Sequence, residues 1–183
     1  MLDWIATPTQ SATTNMNLRK IIHYALLLAV VTANIGCDQI SKSVARAHLD
    51  YHERVSVLGE HVVLTKVENT GAFLSLGDDL PPTAKMLLLN LLPTLALLGM
   101  LFWLLRSNVD RATAFGLCCV LGGGIGNLVD RLAYGSVTDF LYLEWGRVHT
   151  GIFNLADVSI TGGVLFIVAL QIWNSWKVRI VKS

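Results

Sequence analysis

The chain has 183 residues, 53% of them hydrophobic and only 15% charged, with a formal net charge of +1. That length suits one domain, but the composition is too apolar for an ordinary soluble domain of this size. The near-neutral balance provides no basic surface for nucleic acid, and no nucleic-acid partner is expected.

Residues 1–17 are rich in Thr, Ser, Asn and Gln and read as a disordered cytoplasmic tail. Four runs without Asp, Glu, Lys or Arg follow: Ile21 to Cys37, Met86 to Leu105, Ala112 to Val129 and Val158 to Trp176. At about 1.5 Å per helical residue, each is long enough, or nearly so, to cross a hydrocarbon core of about 30 Å. The expected fold is an all-α membrane protein: four transmembrane helices within residues 18–176, then a basic cytoplasmic tail over 177–183. The first run has a competing reading, because Arg19-Lys20, an apolar stretch and Asn34-Ile35-Gly36-Cys37 resemble a signal peptide ending at a lipid-modified cysteine. Asn34 stands where such sites usually carry Leu and three more apolar runs follow, so an anchor helix is the preferred reading.

The first long connection, Asp38 to Lys85, contains VSVL, HVVLTKV and AFLSL, β-branched runs separated by turn residues. They predict a small extracytoplasmic antiparallel sheet on the membrane, within about residues 43–80. Ser107 to Asp110 is short enough to make the second and third helices an antiparallel hairpin. The second long connection, Asp130 to Asp157, mixes Tyr, Trp, Phe and Leu with polar residues and reads as an interfacial segment. Seven basic residues against Asp3 and Asp110 mark one membrane face, and the eleven remaining acids mark the other. The positive-inside rule then puts both termini in the cytoplasm and the long connections outside.

Gly122 to Gly126 reads GGGIG but follows no strand and lies in an apolar run, so close helix packing is the expected role rather than phosphate binding. Cys37, Cys118 and Cys119 form no CxxC and read as small buried apolar side chains. The five histidines are scattered, and neither a metal site nor a cofactor is expected.

Carboxylates therefore remain as the credible acid/base groups. Asp38, Asn69, Asn127, Asp130, Arg131, Asp139, Asn154 and Asp157 all lie where the apolar runs meet the outer face. Most have a plain structural reading: Asp38 as a helix end facing water, Asn69 with Gly71 as a turn, Asp130 with Arg131 as a local ion pair. Asn154 reads as an N-cap with Asp157 at the positive end of the helix dipole. Asp139, between Thr138 and Phe140, has no cap or neighbouring cation to explain it.

Four pieces, DQISK (38–42), ENTGAFLSLG (68–77), GNLVDRLAYGSVTDF (126–140) and FNLAD (153–157), occur in an order that resembles the lipoprotein signal peptidases, the type II signal peptidases of bacteria. The resemblance spans about residues 18–176 and departs from the family at Gly71-Ala72-Phe73, where an extra alanine is usual. It implies an intramembrane aspartic endopeptidase of the bacterial inner membrane that removes the signal peptide from diacylglyceryl-modified prolipoproteins. Asp139 and Asp157 match its catalytic dyad. Asp38, Asn69, Asn127, Arg131 and Asn154 match its supporting or substrate-binding residues. The implied partners are lipid-modified prolipoproteins and membrane lipids, with a monomer expected. Two other classes stay in view: a small transporter or proton channel using outer-face carboxylates, and a non-enzymatic membrane assembly factor.

Overall fold

The structure is a computed structural model that describes residues 10–59, 61–72 and 75–182. Helix α1 runs over Gln10–His48, and strands β1 (Val55–Leu58) and β2 (Val62–Asn69) follow it. Helix α2 spans Pro82–Arg106, helix α3 Arg111–Tyr134, strands β3 and β4 Val137–Trp145 and Val148–His149, and helix α4 Leu155–Lys182. Each of the four helices contains a stretch long and apolar enough to cross a membrane.

Helix α3 is the centre of the bundle. In its most apolar window 56% of residues are buried, against 6%, 6% and 11% in α1, α2 and α4, so the other three helices turn most of their surface outward. Small residues allow this. A Cβ on Gly126 would stand 2.5 Å from Asp38 Oδ2 of α1, so only glycine admits the buried carboxylate here. Nearer the N-terminal end of α3, Leu104 of α2 and Ala114, Leu117, Cys118 and Leu121 of α3 form an apolar core against Leu27, Val30 and Val31 of α1.

The ends of α3 follow from local chemistry. Asp110 Oδ1 accepts from the backbone N–H groups of Ala112 and Thr113, both at 3.0 Å, and the Thr113 hydroxyl donates to Asp110 Oδ2 at 2.6 Å. Led by the bond from Thr113, these contacts hold the Asp110 carboxyl below its ordinary range. At the other end Gly135 adopts φ 76°, a left-handed conformation that suits glycine, and its N–H closes on Arg131 O.

Several boundaries differ from the sequence reading. Helix α1 starts at Gln10, so residues 10–17 are helical rather than disordered, because extending an existing helix costs far less than starting one. Residues 1–9 of the expected tail lie outside the described residues. At its other end α1 continues eleven residues beyond Cys37, because DQISKSVARAH contains no Pro or Gly. Asp38 is therefore inside a helix and fully buried, not a helix end facing water. Helix α4 likewise continues to Lys182, through most of the expected basic tail. Pro93 does not break α2: a π-helical stretch over Met86–Leu91 precedes it, and Pro93 falls in the first turn of the α-helical part that follows.

The sheet has four strands in the order β1-β2-β3-β4, all antiparallel. VSVL and VVLTKV form β1 and β2 as expected, but the described residues of AFLSL, Ala72, Ser75 and Leu76, lie in no strand. Ser75 has φ 60°, and Ala72 N–H bonds to Leu76 O at 2.8 Å; residues 73–74 lie outside the described ones. The third strand comes instead from the second connection, which reads as interfacial in sequence. In register, β3 places Asp139 opposite Val67 and Val137 opposite Asn69. Leu141 and Phe153 then exchange backbone bonds at 2.8 and 2.9 Å, which lays the chain entering α4 beside β3.

Candidate active site

That last pairing is what brings the two motif aspartates together. Asp139 stands on β3 and is 4% exposed. Its Oδ1 accepts from Asn154 Nδ2 at 2.6 Å, and its Oδ2 accepts from Asn69 Nδ2 at 3.0 Å. Asp157, half-buried in the first turn of α4, accepts through Oδ1 from Asn127 Nδ2 at 2.9 Å and through Oδ2 from the Asn154 backbone N–H at 3.2 Å. Asn154 Oδ1 in turn accepts the Asp157 N–H at 3.0 Å, a reciprocal N-terminal capping arrangement. Asn154, itself fully buried, thus donates to both carboxylates and caps the helix as well. The N-cap reading of this residue and the functional one describe the same contacts.

Neutral amides, rather than cations, are the direct donors to the pair. Burial therefore dominates at Asp139 and pushes its carboxyl up from 3.8 to about 6. The neighbouring Asp157 charge adds to this, while the bonds from Asn69 and Asn154 oppose it. The chemical consequence is a carboxyl that keeps a proton into the range where an ordinary aspartate has lost it.

Asn69 and Arg131 shape the surroundings. Asn69 Oδ1 accepts from Gly71 N–H at 3.0 Å, so the turn reading holds, while its amide donates to Ala72 O at 2.9 Å as well as to Asp139. Arg131 makes no ion pair with Asp130. Its Nη2 donates to Gly71 O at 2.9 Å, tying α3 to the turn after β2, and its buried Nε has no partner among the described residues. A cavity of about 340 Å³ opens beside Asp157, lined by Gly151, Phe153, Val158, Thr161 and Gly162 among others. Its walls are mostly apolar and include the first two turns of α4.

Residues 30–173 match the family described as Signal peptidase (SPase) II. The chain belongs to the signal peptidase II family. It is 33% identical over 162 residues to the lipoprotein signal peptidase of Desulforapulum autotrophicum, covering 87% of this chain and 97% of that protein. The Mycobacterium tuberculosis lipoprotein signal peptidase is 36% identical over 154 residues, 81% of this chain and 71% of that one. In fold, the chain resembles a bacterial membrane enzyme solved at 2.3 Å by the in meso method, with a TM-score of 0.72 and 21% identity, covering 82% of this chain and 90% of that one. A second such structure, at 1.9 Å, gives 0.69 and 19% over 80% and 92%.

Against this signal peptidase II frame, the site residues expected from sequence fall into two groups. Asn69, Asn127, Asp139, Asn154 and Asp157 share direct hydrogen bonds. Asp38 does not touch the pair through its side chain. Its Oδ1 accepts from Ala156 N–H at 2.9 Å, and its Oδ2 pairs with Lys42 at 2.8 Å. Lys42, fully buried, also bonds Asp130 Oδ2 at 3.2 Å, and Arg46 lies 3.6 Å from Asp130 Oδ1. Sequence reading passed over Lys42 and Arg46. The signal was present, since Asp38 and Lys42 are spaced i,i+4, but it has meaning only once α1 is known to continue past Cys37. No group of three or more potential metal ligands occurs among the described residues.

Proposed function

We propose that this signal peptidase II acts as an intramembrane aspartic endopeptidase, removing the signal peptide from diacylglyceryl-modified prolipoproteins just before the lipidated cysteine. Asp139 and Asp157 are the catalytic pair. The observation that carries this reading is the double donation of Asn154, which holds two carboxylates with different surroundings on a single residue.

The roles follow from those surroundings. Asp157 lies at the positive end of α4 and accepts two N–H donors, so it serves as the base. Asp139, more deeply buried and raised to about 6, carries the proton. Asp157 takes a proton from water, and the water oxygen attacks the scissile carbonyl. Asp139 donates its proton toward the carbonyl oxygen as the tetrahedral centre forms. When that centre collapses the C–N bond breaks, the proton held by Asp157 passes to the nitrogen of the lipidated cysteine, and the hydroxyl proton returns to Asp139. The products are a signal peptide with a free carboxyl group and a mature chain with a free amine.

Supporting residues act by placement. Asn69 and Asn154 orient Asp139, Asn127 orients Asp157, and Asp38 secures the first turn of α4 through Ala156. Arg131 fixes the turn at Gly71, and its Nε, without a partner among the described residues, can donate to a substrate carbonyl. The apolar cavity along α4 suits a substrate that enters from the lipid with an extended, apolar segment. Both termini face the cytoplasm and the pair lies at the outer face of the bacterial inner membrane. A transporter would instead need acids near the midplane on broken helices, whereas Asp139 is on a strand and Asp157 in a first helical turn.

The test is to incubate the purified chain in lipid with a precursor carrying a diacylglyceryl cysteine, and with the same precursor lacking the lipid. The expected result is release of a peptide ending at the residue before the cysteine, from the lipidated precursor only. Cleavage at another bond, or none from a well-folded preparation, would overturn the assignment.

A further inference from the structure

Lys42 lies in the interior with no exposed surface, a costly place for an ammonium unless every donor is used. All three are. Nζ bonds Asp38 Oδ2 at 2.8 Å, Asp130 Oδ2 at 3.2 Å and Asn127 Oδ1 at 2.9 Å. The first two contacts balance charge. The third does something else, because Asn127 is the residue whose amide nitrogen donates to Asp157 Oδ1 at 2.9 Å.

We propose that Lys42 is a positioning residue for the reaction: its ammonium locks the Asn127 amide in the single orientation that donates to Asp157. An ammonium has donors and no acceptor, so it selects the amide oxygen and leaves the NH2 group for the carboxylate. A flipped amide would set NH2 against the ammonium and the oxygen against Asp157, two repulsive contacts in place of two attractive ones. Packing alone cannot choose between these orientations, since the two amide ends have nearly the same shape. Charge makes the choice, and Asp38 and Asp130 hold the charge in place. Gln39 Nε2 reinforces the holder by donating to Asp38 Oδ2 at 3.2 Å and Asp130 Oδ1 at 3.1 Å.

The inference rests on Asp157 acting in the reaction as proposed above, and the experiment separates the two. Lys42→Met alone would leave two buried carboxylates undercompensated, so it is paired with Asp130→Asn. A matched Lys42→Gln/Asp130→Asn variant carries the same charge change but restores an N–H donor near Asn127. Cleavage of the lipidated precursor is measured for both. The Met variant should lose kcat on the order of 10²-fold with little change in KM, as expected of a misplaced catalytic group. The Gln variant should recover a large part of that loss.

Equal kcat in the Met and Gln variants would overturn the positioning role, leaving Lys42 as a purely structural cation. If neither folds, Asn127→Asp decides the matter, since Lys42 keeps its acceptor there while Asp157 loses its donor. A matching loss of kcat at unchanged KM supports the inference, and wild-type kcat overturns it. Undiminished cleavage by Asp157→Asn would instead remove the dyad reading on which the inference stands.

Discussion

Two pairs of aspartates lie close together at one end of this bundle and are treated in opposite ways. Asp38 and Asp130 are fully buried against Lys42, with Arg46 alongside. Asp139 and Asp157 are held directly by the amides of Asn69, Asn127 and Asn154 and by one backbone N–H. A carboxylate paired with a cation in the interior is fixed as a charge, because removing either partner strands the other. A carboxylate held by neutral amides has its position defined while its proton stays exchangeable. The first arrangement builds a frame, and the second leaves a pair able to pass a proton. Asn127 is the join between them, accepting from Lys42 and donating to Asp157.

Several changes would break or sharpen that contrast. After substitution of the proposed dyad itself, the largest effect is expected from Asp130→Ala, which leaves Lys42 buried with one carboxylate fewer. Loss of one partner of a buried ion pair costs about 3 to 5 kcal/mol, so the variant should melt far below wild type in detergent. Wild-type melting would mean that the cluster is not the frame described. Asn69→Ala should act on chemistry more than on stability. The bond it removes favours the charged form of Asp139, so the alkaline limb of the kcat/KM profile should move to higher pH. An unmoved limb would detach Asn69 from the titration of the pair.

The smallest effect is a pH dependence of stability. Because Asp139 is raised from 3.8 to about 6, the folded state binds its proton more tightly than the unfolded chain does. The resulting stabilisation is fully present below 3.8 and lost as pH rises through about 6. Between about pH 4 and about pH 7 wild type should therefore lose about 1 to 3 kcal/mol more than Asp139→Asn, measured by thermal melting. Parallel curves would contradict the burial argument at this residue.

Much of the frame was legible in sequence because membrane spans declare themselves by length: four uncharged runs became four helices. The ordered motifs likewise pointed to Asn69, Asn127, Asp139, Asn154 and Asp157 before any distance was known. What escaped depended on contacts between distant residues. The stretch from Val137 to Trp145 reads as interfacial because Phe140, Tyr142 and Trp145 are mixed with Asp139 and Glu144, and only pairing with β2 makes it a strand. AFLSL has strand composition, yet Ala72 bonds to Leu76 and not to a neighbouring strand. Lys42 was missed because hydropathy ends the first run at Cys37, whereas the helix itself continues to His48 and brings Lys42 one turn below Asp38.

The central claim is that Asp139 and Asp157 do the chemistry while Asp38 and Asp130 hold the frame. Cleavage of a diacylglyceryl-modified precursor by Asp139→Asn and Asp157→Asn, with melting recorded on the same samples, tests it most directly. The account predicts that each variant stays folded and loses turnover by about 10² to 10⁴, the usual scale for removing a general acid or base. Near-normal turnover by either folded variant would contradict it.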